Sequence, residues 1–560
     1  MSESEHRMIE ILRILNEQNK AIGSKIIANE LKKKGYNLGE RAVRYHMQIL
    51  DEKGYTERIG YSGRIITDLG KIKLEKGLIY DQVDFIHSKL EEMIYKTNLT
   101  HETQIGDIIT NKVETYDKDV IQPIKKAMKN GLAVSPLINI TEETTNNKTK
   151  YTIKTICSTT IDGVLLSNGI PSQPIYGGLV EIENYKPTHF TEIISYNKTS
   201  LSPINAFISK DMTSVQKVIE EGNGIIPANF RVIPSNTKEK TIEILKKLEK
   251  INIDGVLSIG QNGEITLGIP VSKDLIGVTI IGGVTPFCLA QELGHNINIK
   301  TIDELEKINN LKKAATPTKI LKKQTHKTKQ KISFLLSKTW NLLDGVDFNI
   351  NTEKGNIIAN ISYINKNDLD TSIEIMKNVN KTLPQFVNPY YKITKHPKDE
   401  NKVGIATVCS LTIDGVLIKN GIMCNPRYGG LLELNKQKLF VELISYNGSS
   451  IDPHKIFINK GMTNLSNKRT KYILASIKEA PYITRNKSEK ILNTLNEIGL
   501  HIPKIGKPRE LIYNAKVDNY NFGIVANSGL NGIAALKEQN INVDVEAAKH
   551  LISFEEMDKL

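Results

Sequence analysis

The side chains best placed to do chemistry lie in a block that the chain carries twice. Cys157-Ser158-Thr159-Thr160-Ile161-Asp162-Gly163-Val164-Leu165 returns as Cys409-Ser410-Leu411-Thr412-Ile413-Asp414-Gly415-Val416-Leu417. In each copy a thiol and neighbouring hydroxyls precede an apolar run. If that run is a helix, its first turn offers unpaired N–H groups and the positive end of the helix dipole. Both lower a thiol pKa and attract anions. Three readings of Cys157 and Cys409 are therefore open: a nucleophile, the wall of an anion site, or a small buried residue at a strand end. A nucleophile requires a base beside it, and no histidine recurs alongside both cysteines. The motifs GxxxxGK[ST], HExxH and GxSxG are absent, and Tyr176-Gly177-Gly178 and Tyr428-Gly429-Gly430 read as turns before phosphate cradles. No cofactor, no metal site and no enzymatic activity are expected.

The elements that would hold these residues follow from spacing. Asp162-Gly163 suits a hairpin turn, but Ile161, Val164 and Leu165 suit a helix over 161–168. That reading places Thr160 at the N-cap and Gly169-Ile170 in a Schellman ending. Thr412, Ile413, Val416, Leu417, Gly421 and Ile422 repeat the same grammar. The likeness runs on through Tyr176–Leu179 against Tyr428–Leu431 and Glu192–Asn197 against Glu442–Asn447. A repeat this long is a duplicated domain, because solenoid periods are far shorter. Later, Val278–Ile281 reads as a strand, Gly282–Val284 as a turn, and Thr285-Pro286 as the start of a capped helix. Gly523–Ala526 and an Asn531-capped helix are the counterparts in the second copy. Strand–turn–helix units of this kind predict mixed α/β domains.

Ahead of the copies stands a small head. Met8, Ile9, Leu12 and Leu15 fit one helix face, Ser24 offers an N-cap for a second helix that Gly35 closes, and Val43, Met47 and Leu50 fit a third. Two short alternating stretches around Gly60–Gly63 then form a hairpin. Three helices and a hairpin make a winged helix-turn-helix. Arg41, Arg44, Tyr45 and Gln48 fall off the apolar face of the third helix, where Arg suits guanine edges and Gln suits adenine. Arg58 and Arg64 on the wing are expected at phosphates or the minor groove. The alternative is a basic face on a winged helix that binds protein. A further helix over 81–95, with Val83, Ile86, Leu90 and Ile94 on one side, leads out of the head.

The expected divisions are 1–76 for the DNA-binding head, 80–311 for the first copy, 312–331 for a Lys-rich linker and 332–560 for the second copy. The chain's 560 residues carry a net charge of +13, which suits a polyanionic partner. Four cysteines without CxxC or a His-rich neighbourhood argue against a disulfide framework and a zinc site. No apolar run reaches the ~18–20 residues of a membrane helix, and the N-terminus reads as no signal peptide, so a cytoplasmic protein is expected.

With Arg41-Ala42-Val43-Arg44-Tyr45-His46 in front of two Cys-Ser-x-Thr-Ile-Asp-Gly-Val-Leu blocks, the chain resembles the NrpR family of archaeal nitrogen repressors over essentially its whole length. The resemblance implies a homodimer on palindromic operators of nitrogen-fixation and nitrogen-assimilation genes. It also implies 2-oxoglutarate as the releasing effector and a PII-type signalling protein as a further partner. An anionic effector would meet Cys157, Ser158 and Thr160, or Cys409, Ser410 and Thr412, with Arg231 or Lys478 supplying a second charge. The copies differ around Gly222–Arg231 and Ala475–Lys478, so they need not bind equally. A protein-binding scaffold and an enzyme tethered to DNA are the other classes.

Overall fold

The computed structural model describes all residues except 1–2, 19, 34–35, 37, 76–78, 101, 103, 146–147, 198, 209–211, 319, 324–330, 436–437, 467–469, 509 and 519. Helices α1 (Glu3–Gln18), α2 (Ser24–Lys33) and α3 (Glu40–Glu52) precede the hairpin of β1 (Thr56–Ile59) and β2 (Gly63–Ile66). Leu12, Leu15, Ile27, Leu31, Val43, Met47 and Leu50 meet in one core, each buried side chain worth roughly 1.5–3 kcal/mol. Ile22 pairs with Arg64 as a one-residue third strand. Gly63 is required there, because a Cβ would stand 2.1 Å from the Ile22 carbonyl oxygen at a φ of +119°. The cap of α2 differs from expectation: the N–H groups of Ile26 and Ile27 reach the carbonyl of Gly23. Ser24 instead donates its hydroxyl to Glu40 at 3.0 Å, tying α2 to the start of α3. Gly35, the expected end of α2, lies outside the described residues.

Helices α4 (Asp68–Glu75) and α5 (Ile79–Lys96) lead into the first copy. Leu90 and Ile94 of α5 are buried, whereas the Val83 side chain lies outside those described. The first copy contains β3 (Asp107–Thr115), α6 (Ile121–Lys129), β4 (Leu137–Thr145), β5 (Lys148–Ile156), α7 (Thr159–Ser167), β6 (Gln173–Glu183) and β7 (Lys186–Ser195). It continues with α8 (Pro203–Phe207), α9 (Val215–Glu221), β8 (Gly224–Pro234), α10 (Lys238–Lys250), β9 (Val256–Ile259), β10 (Leu275–Ile281), α11 (Thr285–Glu292), β11 (Asn298–Lys307) and β12 (Lys312–Lys313). These strands form two antiparallel sheets, ordered β11-β3-β5-β4-β12 and β7-β6-β8-β10-β9. Lys312 and Lys313, read from the sequence as linker, pair with Ile138 and Leu137 at the sheet edge.

The second copy repeats the plan with α12 (Leu335–Asp344), β13 (Asn356–Asn365), α13 (Leu369–Thr382), β14 (Tyr390–Lys395), β15 (Lys402–Val408), α14 (Leu411–Lys419), β16 (Asn425–Leu434) and β17 (Leu439–Ser445). After these come α15 (Pro453–Asn459), β18 (Lys471–Pro481), α16 (Arg485–Ile498), β19 (Lys504–Ile505), β20 (Asn521–Asn527), α17 (Asn531–Glu538), β21 (Asp544–Ser553) and β22 (Asp558–Lys559). Its sheets run β21-β13-β15-β14-β22 and β17-β16-β18-β20-β19. Among the described residues no helix is long and apolar enough to cross a membrane.

The Asp-Gly pair of the repeated block is helical, which settles the choice between helix and hairpin. Gly163 and Gly415 are there for packing: a Cβ on Gly163 would meet the Thr97 side chain at 2.4 Å, and one on Gly415 would meet Val346 at 2.6 Å. Both neighbours are β-branched and buried and have little room to yield. Gly415→Ala should therefore destabilise the chain by about 1–3 kcal/mol despite its gain in helix propensity, read as a lower urea midpoint. Gly169 does end its helix as expected, with the Ile170 N–H donating to the Leu165 carbonyl. The expected caps do not hold. Thr160 and Thr412 lie inside the first turn, Thr285 follows a Val284 cap, and Asn531 follows a Leu530 cap. Each polar side chain has a competing partner: the Asn531 Oδ1 accepts from the Leu474 N–H at 2.8 Å.

The two copies meet reciprocally. The Ser200 N–H donates to the Leu443 carbonyl at 2.9 Å, and the Ser450 N–H to the Ile193 carbonyl at 3.0 Å. The Ser200 hydroxyl donates to Glu442 and the Ser450 hydroxyl to Glu192. Ile194 and Phe207 of the first copy join the core of the second.

Candidate functional site

Two sites carry the residues singled out by the sequence. The first is the outer face of α3. Burying Val43, Met47 and Leu50 turns Arg41, Arg44, Tyr45 and Gln48 to solvent, one face of a helix at i, i+3, i+4 and i+7. Arg44 rests against Glu40 at 2.6 Å, and Gln48 donates to Glu52 at 3.4 Å. Both partners are exposed, so neither contact costs much to exchange. On the wing Arg58 is exposed. Arg64 behaves otherwise: its Nε donates to the Asp51 carboxylate at 2.6 Å, with 15% of its side chain exposed. It braces the hairpin against α3 and does not present its charge. His46 is buried, and desolvation holds its pKa below the usual range.

The second site is the start of the repeated helix. In the first copy Ser158 accepts a hydrogen bond from Asn229 at 2.7 Å, and Tyr196 donates to the same Asn229 at 2.5 Å. Arg231 lies on β8, paired with Val278 and Pro174 of the flanking strands. Its Nη1 donates to Asp162 at 2.9 Å and to the Ser158 carbonyl at 3.3 Å. Both members of this ion pair are fully buried, and Ser172 donates to the second oxygen of Asp162 at 2.5 Å. Burial pushes the Asp162 carboxyl up, against the pull of Arg231. In the second copy Lys478 stands in the same register on β18, between Ile524 and Pro426. It pairs with Asp414, likewise fully buried, and the Cys424 thiol donates to that carboxylate at 3.3 Å. The positions of Arg231 and Lys478 are thus brought to the helix starts, but each charge is already matched by an aspartate that the sequence reading left unassigned.

The remaining residues divide in the same way. Thr160 Oγ1 accepts from the Ile109 N–H at 3.0 Å and Thr412 Oγ1 from the Ile358 N–H at 3.0 Å, joining α7 to β3 and α14 to β13. Cys157 and Cys409 are buried. Burial pushes the Cys409 thiol up to about 12 and raises that of Cys157 despite a hydrogen bond from Thr159. Thiols held protonated are poor nucleophiles. A narrow cleft reaches Cys409 and Ser410, between Asn388, His501 and Asn527. Desolvation lowers the His501 pKa. Asn527 donates to the Gln385 carbonyl at 2.7 Å, and its Oδ1 has no protein partner. That oxygen repels a carboxylate, which would have to lie on the Ser410 side. His501 and Asn527 carry no signal in the repeat, because the first copy has Asp254-Gly255 and Ile281 at those places.

Comparison with known proteins agrees with this duplicated plan. The model of the NrpR regulatory domains NRD1 and 2 matches residues 83–313 and 332–559. A ribonuclease R winged-helix domain model matches residues 9–74. The global nitrogen regulator NrpR of Methanococcus maripaludis is 35% identical, over 98% of this chain and 98% of its own. That of Methanocaldococcus jannaschii is also 35% identical, over 100% of this chain and 98% of its own. The global nitrogen regulator NrpRI of Methanosarcina mazei is 42% identical over 54% of this chain and 95% of its own. The crystal structure of a nitrogen repressor-like protein from Methanococcus jannaschii, 29% identical, covers 41% of this chain and 99% of that one with a TM-score of 0.37.

Proposed function

The chain belongs to the NrpR family of nitrogen regulators, and on that premise we propose that it is a cytoplasmic, non-enzymatic repressor. It binds palindromic operators of nitrogen-fixation and nitrogen-assimilation genes as a homodimer and is released by 2-oxoglutarate. The observation that carries the reading is the α3 face, where Arg41, Arg44, Tyr45 and Gln48 are exposed together opposite the buried Val43, His46, Met47 and Leu50. One such helix reads only a few base pairs, so useful specificity needs two heads on an inverted repeat, about one helical turn apart. Anisotropy titrations of the full chain on a palindrome and on a single half-site test this. Tight binding confined to the palindrome is expected, and equal binding to both would sink it.

The effector enters the second copy at the cleft beside Cys409, Ser410 and His501, which as it stands holds about one water and must widen to admit it. A carboxylate lodged there stabilises the protonated imidazole, so binding draws in a proton. Calorimetry in two buffers of different ionisation enthalpy should show that uptake with 2-oxoglutarate at neutral pH. His501→Phe should abolish it and raise the effector concentration needed for release, leaving operator affinity intact. Release at the wild-type concentration in His501→Phe would move the site elsewhere. The effector must prefer the DNA-free arrangement, since equal affinity for both states shifts nothing. A preference of about 100-fold, near 2.7 kcal/mol, is enough, and operator DNA must then weaken effector binding by the same factor.

A further inference from the structure

The two copies differ at one exposed corner. In each, a long strand (β8 or β18) ends in a proline and passes through a short 3₁₀ turn into a helix (α10 or α16). The turns are built alike. Thr237 donates its hydroxyl to the Pro234 carbonyl at 2.7 Å, and Thr484 to the Pro481 carbonyl at 2.7 Å. The first residue of each turn donates its N–H to the residue ahead of the neighbouring strand: Ser235 to the Asp274 carbonyl at 2.9 Å, and Tyr482 to the Tyr520 carbonyl at 3.0 Å. On this shared frame the first copy carries the polar Ser235, Asn236 and Asp274. The second carries Tyr482, Ile483 and Tyr520, exposed by 53%, 82% and 75%. The backbone does not require apolar groups there, since the first copy builds the same turn without them. Flanking charges are matched against one another: Arg427 with Glu479 at 3.5 Å and Asp518 at 3.7 Å, and Arg485 with Glu489 at 3.0 Å.

We propose that this corner of the second copy is the centre of the interface between two chains, each laying Tyr482, Ile483 and Tyr520 against the same patch of the other. The inference rests on the homodimer proposed above and says which surface holds it. Aromatic and branched side chains exposed together mark interaction surfaces. A chain of net charge +13 repels its own kind. Association therefore needs apolar burial where charges are already matched, and this corner offers both. Matched charges give no preference for an acidic or a basic partner, whereas an identical patch complements an apolar one. Number also favours a second copy of the chain. A self-complementary patch present once per chain closes at two chains about a twofold axis, whereas on both copies it would link chains without end. The polar residues of the first copy prevent that. The other reciprocal surface, around Ser200 and Ser450, is already filled within the chain. Three side chains make only the centre of a stable interface, which takes roughly 800 Å² from each partner, and the matched charges form its rim.

Sedimentation velocity of the full chain at micromolar concentration tests this. The variant combines Tyr482→Ser, Ile483→Asn and Tyr520→Asp, the residues with which the first copy builds the same turn, so its urea midpoint should match wild type. The wild type should sediment as a dimer and the variant as a monomer. Its dissociation constant should rise by at least about 100-fold, since central aromatic anchors carry most of such an interface. In a second measurement Ile483→Cys is treated with a short bis-maleimide. The four native cysteines are buried, and residues near a twofold axis meet their own counterparts, so a covalent dimer should form. If the triple variant unfolds, this crosslink decides alone. A folded triple variant that stays dimeric, or a dimeric Ile483→Cys chain that does not crosslink, would overturn the patch and leave the homodimer standing. A monomeric wild type would overturn the homodimer itself, and this interface with it.

Discussion

Lys478→Met should cost about 3–5 kcal/mol, because it strands Asp414 in a fully buried site. For a domain of this size that is roughly 6–20 °C in melting temperature. Adding Asp414→Leu should recover most or all of the loss, since replacing both members of a buried pair by apolar groups is often neutral or stabilising. The pH dependence has a defined sign. Burial already pushes the Asp414 carboxyl up, and Lys478 is the main counterweight. Without Lys478 the folded-state pKa rises further above its unfolded value. The single variant is then least impaired in acid and loses stability as pH rises through the folded-state pKa. Urea unfolding at about pH 5 and pH 8 reads this directly, and a pH-independent loss would refute the assignment. In the first copy Arg231→Lys should stay within about 1 kcal/mol of wild type. The second copy already holds a lysine in that register, and the Arg231 Nε and Nη2 have no protein partner to lose.

The same pair marks the boundary of what the chain discloses by itself. The head is legible because its helices are amphipathic and bury their apolar faces on one another, so spacing alone names the core. The duplication is legible from the repeated block. What the block does not disclose is where its hydroxyls and thiols point. Thr160 reads as a cap because a helix follows it, yet strand β3 supplies an N–H that competes for the same oxygen. Arg231 reads as a ligand contact because a cation near an anion site is attractive. A charge on a buried strand must first satisfy itself within the fold, and the aspartate shared by both blocks was the available signal. Lys312-Lys313 reads as linker because two charged residues on a sheet edge have the composition of one. Edge strands tolerate and often favour lysine, so composition cannot separate the two.

Arg44→Ala should weaken operator binding by about 1–3 kcal/mol, and the loss should be confined to one base position in each half-site. Arg44 lies on the exposed face of α3, and in the free protein its guanidinium rests on an exposed glutamate that DNA can replace. A bidentate contact to a guanine discriminates against other bases, so substituting that base in the operator should abolish the difference between variant and wild type. Lys71→Ala should behave differently. Its ammonium is exposed beside Asp68 on α4, off the recognition face, and can contribute only to backbone attraction. Its loss should weaken all sequences alike and reduce the salt dependence by about one phosphate contact. Arg64→Ala supplies the third pattern. Removing the brace between Asp51 and the hairpin loosens the wing relative to α3. The variant should lose affinity uniformly and also melt earlier, whereas Arg44→Ala melts as wild type. Anisotropy on a set of operators with single base changes, at two salt concentrations, separates the three patterns. If Arg44→Ala weakened every sequence equally, α3 would be touching phosphates only, and the readout of bases would have to come from another part of the head.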